Sequence, residues 1–171
     1  FFISNDGIFN WFDSEGNHIE DPGLLKEITN EHIHGIITKC VIPDSVTTIR
    51  YCAFAYCYSL KEITISNNIT SIGDYTFYRC YSLKSITIPH SVESASFFLF
   101  SKCTSLIEIN VDENSEYLSS ENGVLFNKQK TKIIVYPCSK SDEVYIIPNS
   151  VTDIGYNAFY NCSALTSITI P

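Results

Sequence analysis

Cysteine is the residue of this chain with the widest chemical reach, because thiols can pair, hold a soft metal or attack as thiolates. There are seven. Cys57, Cys80 and Cys103 recur every 23 residues, and Cys162 stands at the matching place of a later segment. Such spacing makes a column in a stacked repeat, with neighbours about 4.8 Å apart. A disulfide needs Cβ atoms near ~3.8 Å with a set dihedral. A structural zinc needs four thiolates converging on one point. A line of sulfurs favours neither, so the column reads as buried free thiols acting as small apolar groups. Cys40, Cys52 and Cys138 fall outside the column, and a pair among them is the disulfide left open.

His32 and His34 could share a metal ion, but no third ligand stands at sensible spacing, and His18 and His90 are isolated. Neither a nucleophile elbow nor a G-x-x-x-x-G-K-[ST] or G-x-G-x-x-G loop occurs. No catalytic, cofactor or metal site is therefore assigned, and the chain reads as a non-enzyme. Asn68-Ile69-Thr70 and Asn161-Cys162-Ser163 match the glycosylation sequon, each with a core-column residue in the middle.

The elements that position these residues are repeats. Residues 42–64, 65–87, 88–110 and 147–169 are four units of 23 residues, and Ile170-Pro171 opens a fifth, so the native chain is expected to continue. Position 1 is Ile42, Ile65, Ile88 and Ile147; position 8 is Ile49, Ile72, Ala95 and Ile154; position 13 is Phe54, Phe77, Phe100 and Phe159. Position 19 is Leu60, Leu83, Leu106 and Leu165, and position 22 is Ile63, Ile86, Ile109 and Ile168. Like stacks over like, which buries a continuous core that no unit closes alone. Leu-x-x-Ile-Thr-Ile and Val-Thr-x-Ile predict two short strands per unit. Ala-Phe-x-x-Cys between them predicts a single helical or 3₁₀ turn.

This pattern resembles the BspA-like leucine-rich repeat family, whose units read roughly I-P-x-S-V-T-x-I-G-x-x-A-F-x-x-C-x-S-L-x-x-I-T. The resemblance implies a right-handed solenoid of short parallel strands and short helical or 3₁₀ turns, mostly β. Unit 3 departs at Ala95 and at Phe98-Leu99, which predicts a local distortion there. Residues 111–146, with Gly123-Val124-Leu125-Phe126-Asn127 and Ile133-Ile134-Val135-Tyr136-Pro137, resemble a variant unit of the same family. They are expected to form an enlarged coil with a hairpin turning at Asn127-Lys128-Gln129-Lys130.

Residues 1–41 lie outside the repeat pattern and read as an N-terminal cap. The cap comprises a hairpin through Gly7–Phe12 and the turn Asp13–Asn17, then a short helix through Leu24–Ile28 after Asp21-Pro22. The solenoid then runs over 42–171.

The chain has 171 residues and a formal net charge of −8. It lacks the basic stripe that a nucleic-acid binder needs, and no apolar run is long enough for a transmembrane helix. The start lacks the features of a signal peptide and lacks Met, so a signal sequence could lie upstream.

Two surfaces are candidates for a protein partner. The first is the outward face of the Leu-x-x-Ile-Thr-Ile strands, expected to stack into one sheet of small polar groups: Lys61, Glu62, Thr64; Lys84, Ser85, Thr87; Ile107, Glu108, Asn110; Thr166, Ser167, Thr169. The second is the set of aromatic turns carrying Tyr58, Tyr81, Tyr78 and Tyr160. The resemblance implies a cell-surface or secreted antigen or adhesin that engages host or neighbouring-cell proteins. The alternative is an intracellular scaffold on the same solenoid, favoured by unpaired cysteines. A third reading is end-to-end self-association through the unfinished unit.

Overall fold

The computed structural model describes residues 37–171 in full. Before them it describes only the strands β1 (Phe2–Ile3), β2 (Phe9–Phe12), β3 (His18–Ile19) and β4 (Glu27–Ile28), as backbone. β2 pairs antiparallel with β3 and with β1. Glu27–Ile28, at the end of the span read as a helix, is a strand, parallel to β6 (Thr48–Ile49) in the register Ile28↔Ile49. A ladder partner about one coil further on outweighs the local helix signal of Asp21-Pro22. The remaining residues up to 36, with His32 and His34, lie outside the described residues, whereas 37–41 of the segment assigned to the cap are described and carry a strand at Lys39–Val41.

β4 and residues 37–171 form a β-solenoid. One ladder runs β4, β6, β8 (Ser71–Ile72), stacking Ile28, Ile49 and Ile72. It resumes at β13 (Lys132–Val135) and β15 (Asp153–Ile154), where Ile133 pairs Ile154. The interruption falls at Ser94-Ala95, which form no strand. This is the distortion predicted for unit 3, because Ala95 is too small to hold the position-8 column.

The second face carries β5 (Lys39–Val41), β7 (Glu62–Thr64), β9 (Ser85–Ile88), β10 (Glu108–Val111), β14 (Val144–Ile146) and β16 (Ser167–Thr169). The pairs β5/β7, β9/β10 and β14/β16 are parallel and in coil register. Strands β7 and β9 stand side by side with no ladder pairing between them. Unit 2 opens here with Ile65-Ser66-Asn67, where the other units have Ile-Pro.

The turns connect the faces without a helix among the described residues. Single i→i−3 bonds close them, such as Ala53 N–H to the Arg50 carbonyl at 3.2 Å and Cys80 N–H to Phe77 at 3.1 Å. Alternate N–H groups leave the coil: Cys52, Phe54 and Tyr56 donate to the carbonyls of Asp74, Thr76 and Tyr78 of the next coil. Aiming donors outward requires left-handed residues at positions 11 and 15. These are Cys52 (φ 57°) and Tyr56 (67°), Tyr75 (56°) and Arg79 (61°), Lys102 (62°), and Asn157 (58°) and Asn161 (61°). Such backbone cannot propagate as a helix.

Inside, Phe54, Phe77 and Phe100 stack at centroid spacings of 5.6 and 5.5 Å. Each is buried, an arrangement that stabilises by roughly 2–3 kcal/mol per ring before entropy is counted. Close coil spacing also demands glycine at position 9 of unit 2: a Cβ on Gly73 would stand 2.4 Å from the Tyr51 nitrogen.

The enlarged coil joins the stack through two hairpins. β11 (Leu118–Glu121) turns at Asn122-Gly123 into β12 (Val124–Asn127), both turn residues having positive φ. β12 then pairs antiparallel with β13 across the predicted polar loop. The turn side of this coil is short. Ile133 to Cys138 advances five positions where Ile49 to Cys57 takes eight. Tyr136 nevertheless takes the Phe place, 5.2 Å from Phe159.

Candidate protein-binding surface

The cysteines come first because their column organises the turns. Cys80 Sγ–H donates to the Phe54 carbonyl at 3.2 Å, and Cys103 to that of Phe77 at 2.9 Å. Cys138 donates to the Cys103 carbonyl at 3.1 Å, so it joins the column from which its spacing excluded it. The shortened turn moves it there. All seven thiols are free. Burial pushes Cys40 and Cys162 up to about 12. It raises Cys57 as well, and the Cys103 thiol hydrogen-bonded to Cys80 raises that group. These thiols are poor nucleophiles and poor metal ligands. His90 stands 3.9 Å from Asp112, and among the described residues no cluster of His, Cys, Asp and Glu could hold a metal ion.

The strand-face residues do not form one sheet. Lys61, Glu62 and Thr64 belong with β5, where Lys39 bridges Glu62 at 2.9 Å. Lys84, Ser85 and Thr87 pair with Ile107, Glu108 and Asn110, the Asn110 amide donating to Glu108. Thr166, Ser167 and Thr169 stand apart from both, on the far side of the enlarged coil and against β14. Between the first two groups is a cleft of about 270 Å³ lined by Ile63, Thr64, Ile65, Asn67, Thr87, Pro89 and Asp112. Sequence reasoning missed it, and Ser66 at the proline position is the one signal that marks it.

The turn edge is continuous. Tyr51 meets Tyr75 edge-on at 5.9 Å, Tyr75 stacks on Phe98 at 4.9 Å, and Phe98 meets Tyr156 at 5.7 Å. Tyr75 also meets Tyr78 at 5.8 Å, and Tyr78 meets Tyr56 at 5.4 Å. Tyr56 touches Tyr58 at 6.1 Å, which stacks on Tyr81 at 5.2 Å. Tyr51, Tyr56, Tyr58, Tyr81 and Tyr156 are exposed. The Arg79 guanidinium lies 5.6 Å from the Tyr56 ring and 5.2 Å from Tyr78, and Lys102 Nζ lies 5.8 Å from Tyr78. A hydrogen bond to Tyr78 holds the Arg79 pKa above its ordinary value.

Of the four tyrosines singled out from sequence, Tyr58, Tyr81 and Tyr78 lie in this network. Tyr160 is exposed but sits across a small cleft, with Lys102, Tyr136, Pro137 and Asn157. Tyr51, Tyr75, Phe98 and Tyr156 come together only because columns 10 and 11 of successive coils interleave. Both sequon asparagines are exposed, but the Asn68 amide donates to the Asp44 carbonyl at 2.8 Å and Asn161 stands on the turn edge.

Comparison with known proteins agrees with this geometry. The BspA type leucine rich repeat region matches in six copies, over residues 32–142 and 136–171. No curated protein matches the sequence. Among solved structures, the pneumococcal vaccine antigen PcpA is similar, with a TM-score of 0.77 at 26% identity over 94% of this chain and 48% of that one. A leucine-rich repeat protein of Eubacterium ventriosum gives 0.66 at 25% over 84% and 47%. A leucine rich cell surface protein of Faecalibacterium prausnitzii gives 0.64 at 28% over 80% and 42%. The chain thus spans about half the length of these relatives or less. With the coil-by-coil register, the stacked Phe columns and the repeat match over most of its length, the chain belongs to the BspA type leucine-rich repeat family.

Proposed function

We propose that this chain is a non-catalytic protein-binding module of a cell-surface or secreted protein, and that it binds through its turn edge rather than its strand face. The continuous chain of exposed rings around Arg79 carries this reading. Tyr and Arg supply rigid, amphipathic contact area and dominate interface energetics. The strand face offers small polar groups split into separate patches. The names of two similar structures, a vaccine antigen and a cell surface protein, support a place outside the cell.

The test is saturable binding of the labelled chain to intact cells and to extracellular matrix proteins. Tyr58→Ala with Tyr81→Ala should weaken it about 10- to 30-fold, as for paired aromatic anchors. Thr64→Ala, Thr87→Ala and Glu108→Ala together should leave it within about twofold. The reverse pattern would move the site to the strands. Binding only to partners from inside the cell would favour the scaffold reading, which seven free thiols support.

A further inference from the structure

Charge is unevenly spread along the repeat. Positions 14–20 of the first three units are residues 55–61, 78–84 and 101–107. They hold Lys61, Arg79, Lys84 and Lys102 and not one Asp or Glu, in a chain with 19 acids and 11 Lys or Arg. Lys61 and Lys84, which directly precede β7 and β9 where the turn edge meets the strand face, occupy one column in successive coils, and both are exposed. Arg79 and Lys102 share another column and converge on the Tyr78 ring. Tyr58 and Tyr81 lie in the column between. The acids that follow this strip in sequence are engaged locally, Glu62 by Lys39 at 2.9 Å and Glu108 by the Asn110 amide. A protein of net charge −8 therefore presents a cationic, tyrosine-lined strip on one edge.

We propose that this strip binds a short acidic segment of the partner protein, a specificity that rests on the turn edge being the binding surface. Carboxylates would meet Lys61, Lys84, Arg79 and Lys102 while the peptide backbone and apolar stems lie on the tyrosine rings. Size favours a peptide. Three coils span about 10 Å between the outer two, the reach of about three extended residues. A long polyanion would overhang onto the acidic remainder of the chain and be repelled.

The probes are a labelled Asp/Glu-rich pentapeptide containing one tyrosine, its Asn/Gln counterpart, and a sulfated heparin oligosaccharide, each titrated against the whole chain. The acidic peptide should saturate and bind at least tenfold more tightly than the neutral one. Its affinity should fall steeply between 0.05 and 1 M salt, as the screening length shrinks to about 3 Å. Lys61→Glu with Lys84→Glu should weaken it about tenfold or more, and Lys128→Glu on the distant polar loop should not. The altered lysines are exposed, and an unchanged melting curve will establish that the variants fold.

Equal binding of acidic and neutral peptides, or indifference to the Lys61/Lys84 reversal, would overturn the proposal. Preferential capture of heparin through the same lysines would overturn it in favour of a polysaccharide site. The cell-binding measurement separates the two readings. Cell binding insensitive to salt and to the reversal leaves the module reading standing without the acidic preference. Peptide binding without cell binding does the opposite.

Discussion

The Cys103 thiol donates to the Phe77 carbonyl at 2.9 Å, one coil back, while the Phe77 ring stacks on Phe100 at 5.5 Å. Thiol and ring columns are thus tied coil to coil, and both depend on the cysteines staying protonated.

That dependence predicts an alkaline limit. Cys40 and Cys162 are pushed from an ordinary value near 9 up to about 12, and Cys57 and Cys80 move in the same direction. Their contribution is fully present below pH 9. Above it the unfolded chain releases protons that the folded chain keeps, so stability falls as pH rises toward 12. Fully buried Cys40 contributes a slope of up to about 1.4 kcal/mol per pH unit, and half-buried Cys162 less, because solvent screens it. Melting temperature should hold between pH 7 and 8.5 and drop through pH 9–11. Cys57→Ala should shallow the drop, and a melting temperature flat to pH 11 would refute the linkage.

Gly155 and Phe97 should be energetically coupled. A Cβ on Gly155 would stand 2.5 Å from the Phe97 ring and 2.8 Å from the Ile133 carbonyl. Gly155→Ala should cost about 1–3 kcal/mol in denaturant melts. Combining it with Phe97→Ala should cost less than the two singles summed, because the ring is the larger obstacle. At Gly73 the obstacle is the Tyr51 main chain, so no side-chain change should rescue Gly73→Ala.

Lys102 separates folding from binding. It holds a left-handed φ of 62° and also belongs to the cationic strip. Lys102→Gly should relieve roughly 1 kcal/mol of backbone cost, seen as a higher denaturation midpoint, while weakening the acidic peptide.

The two sequons should behave differently in a secretory host. Both asparagines are exposed, but the Asn68 amide is already bonded to the Asp44 carbonyl. Intact mass should show one glycan, removed by Asn161→Gln and retained in Asn68→Gln.

How much of this was legible before folding differs by feature. The Ile, Phe, Cys and Leu columns were, because a fixed 23-residue spacing leaves stacking as their common use. Ala95 announced the break in its ladder, and Asn127–Lys130 the loop of the enlarged coil. The strand at Glu27–Ile28 was hidden behind a local helix signal, since its partner lies in the next coil. The left-handed columns were hidden because Tyr56, Tyr75, Arg79 and Lys102 occupy them instead of glycine. Cys138 looked misplaced until the three-residue shortening of its turn appeared. The aromatic edge was half visible: shared columns linked Tyr58 to Tyr81, whereas Tyr75 meets Phe98 and Tyr51 through turn geometry that spacing alone does not give.

The unpaired step between β7 and β9 has a mechanical meaning. On the other sides of these coils the chain is tied, by β6 to β8 and by the turn bonds of Cys52, Phe54 and Tyr56. A stack fastened on two sides and open on the third is a hinge. Flexing the long axis there widens or narrows the gap between Thr64 and Thr87 without parting a hydrogen-bonded strand pair.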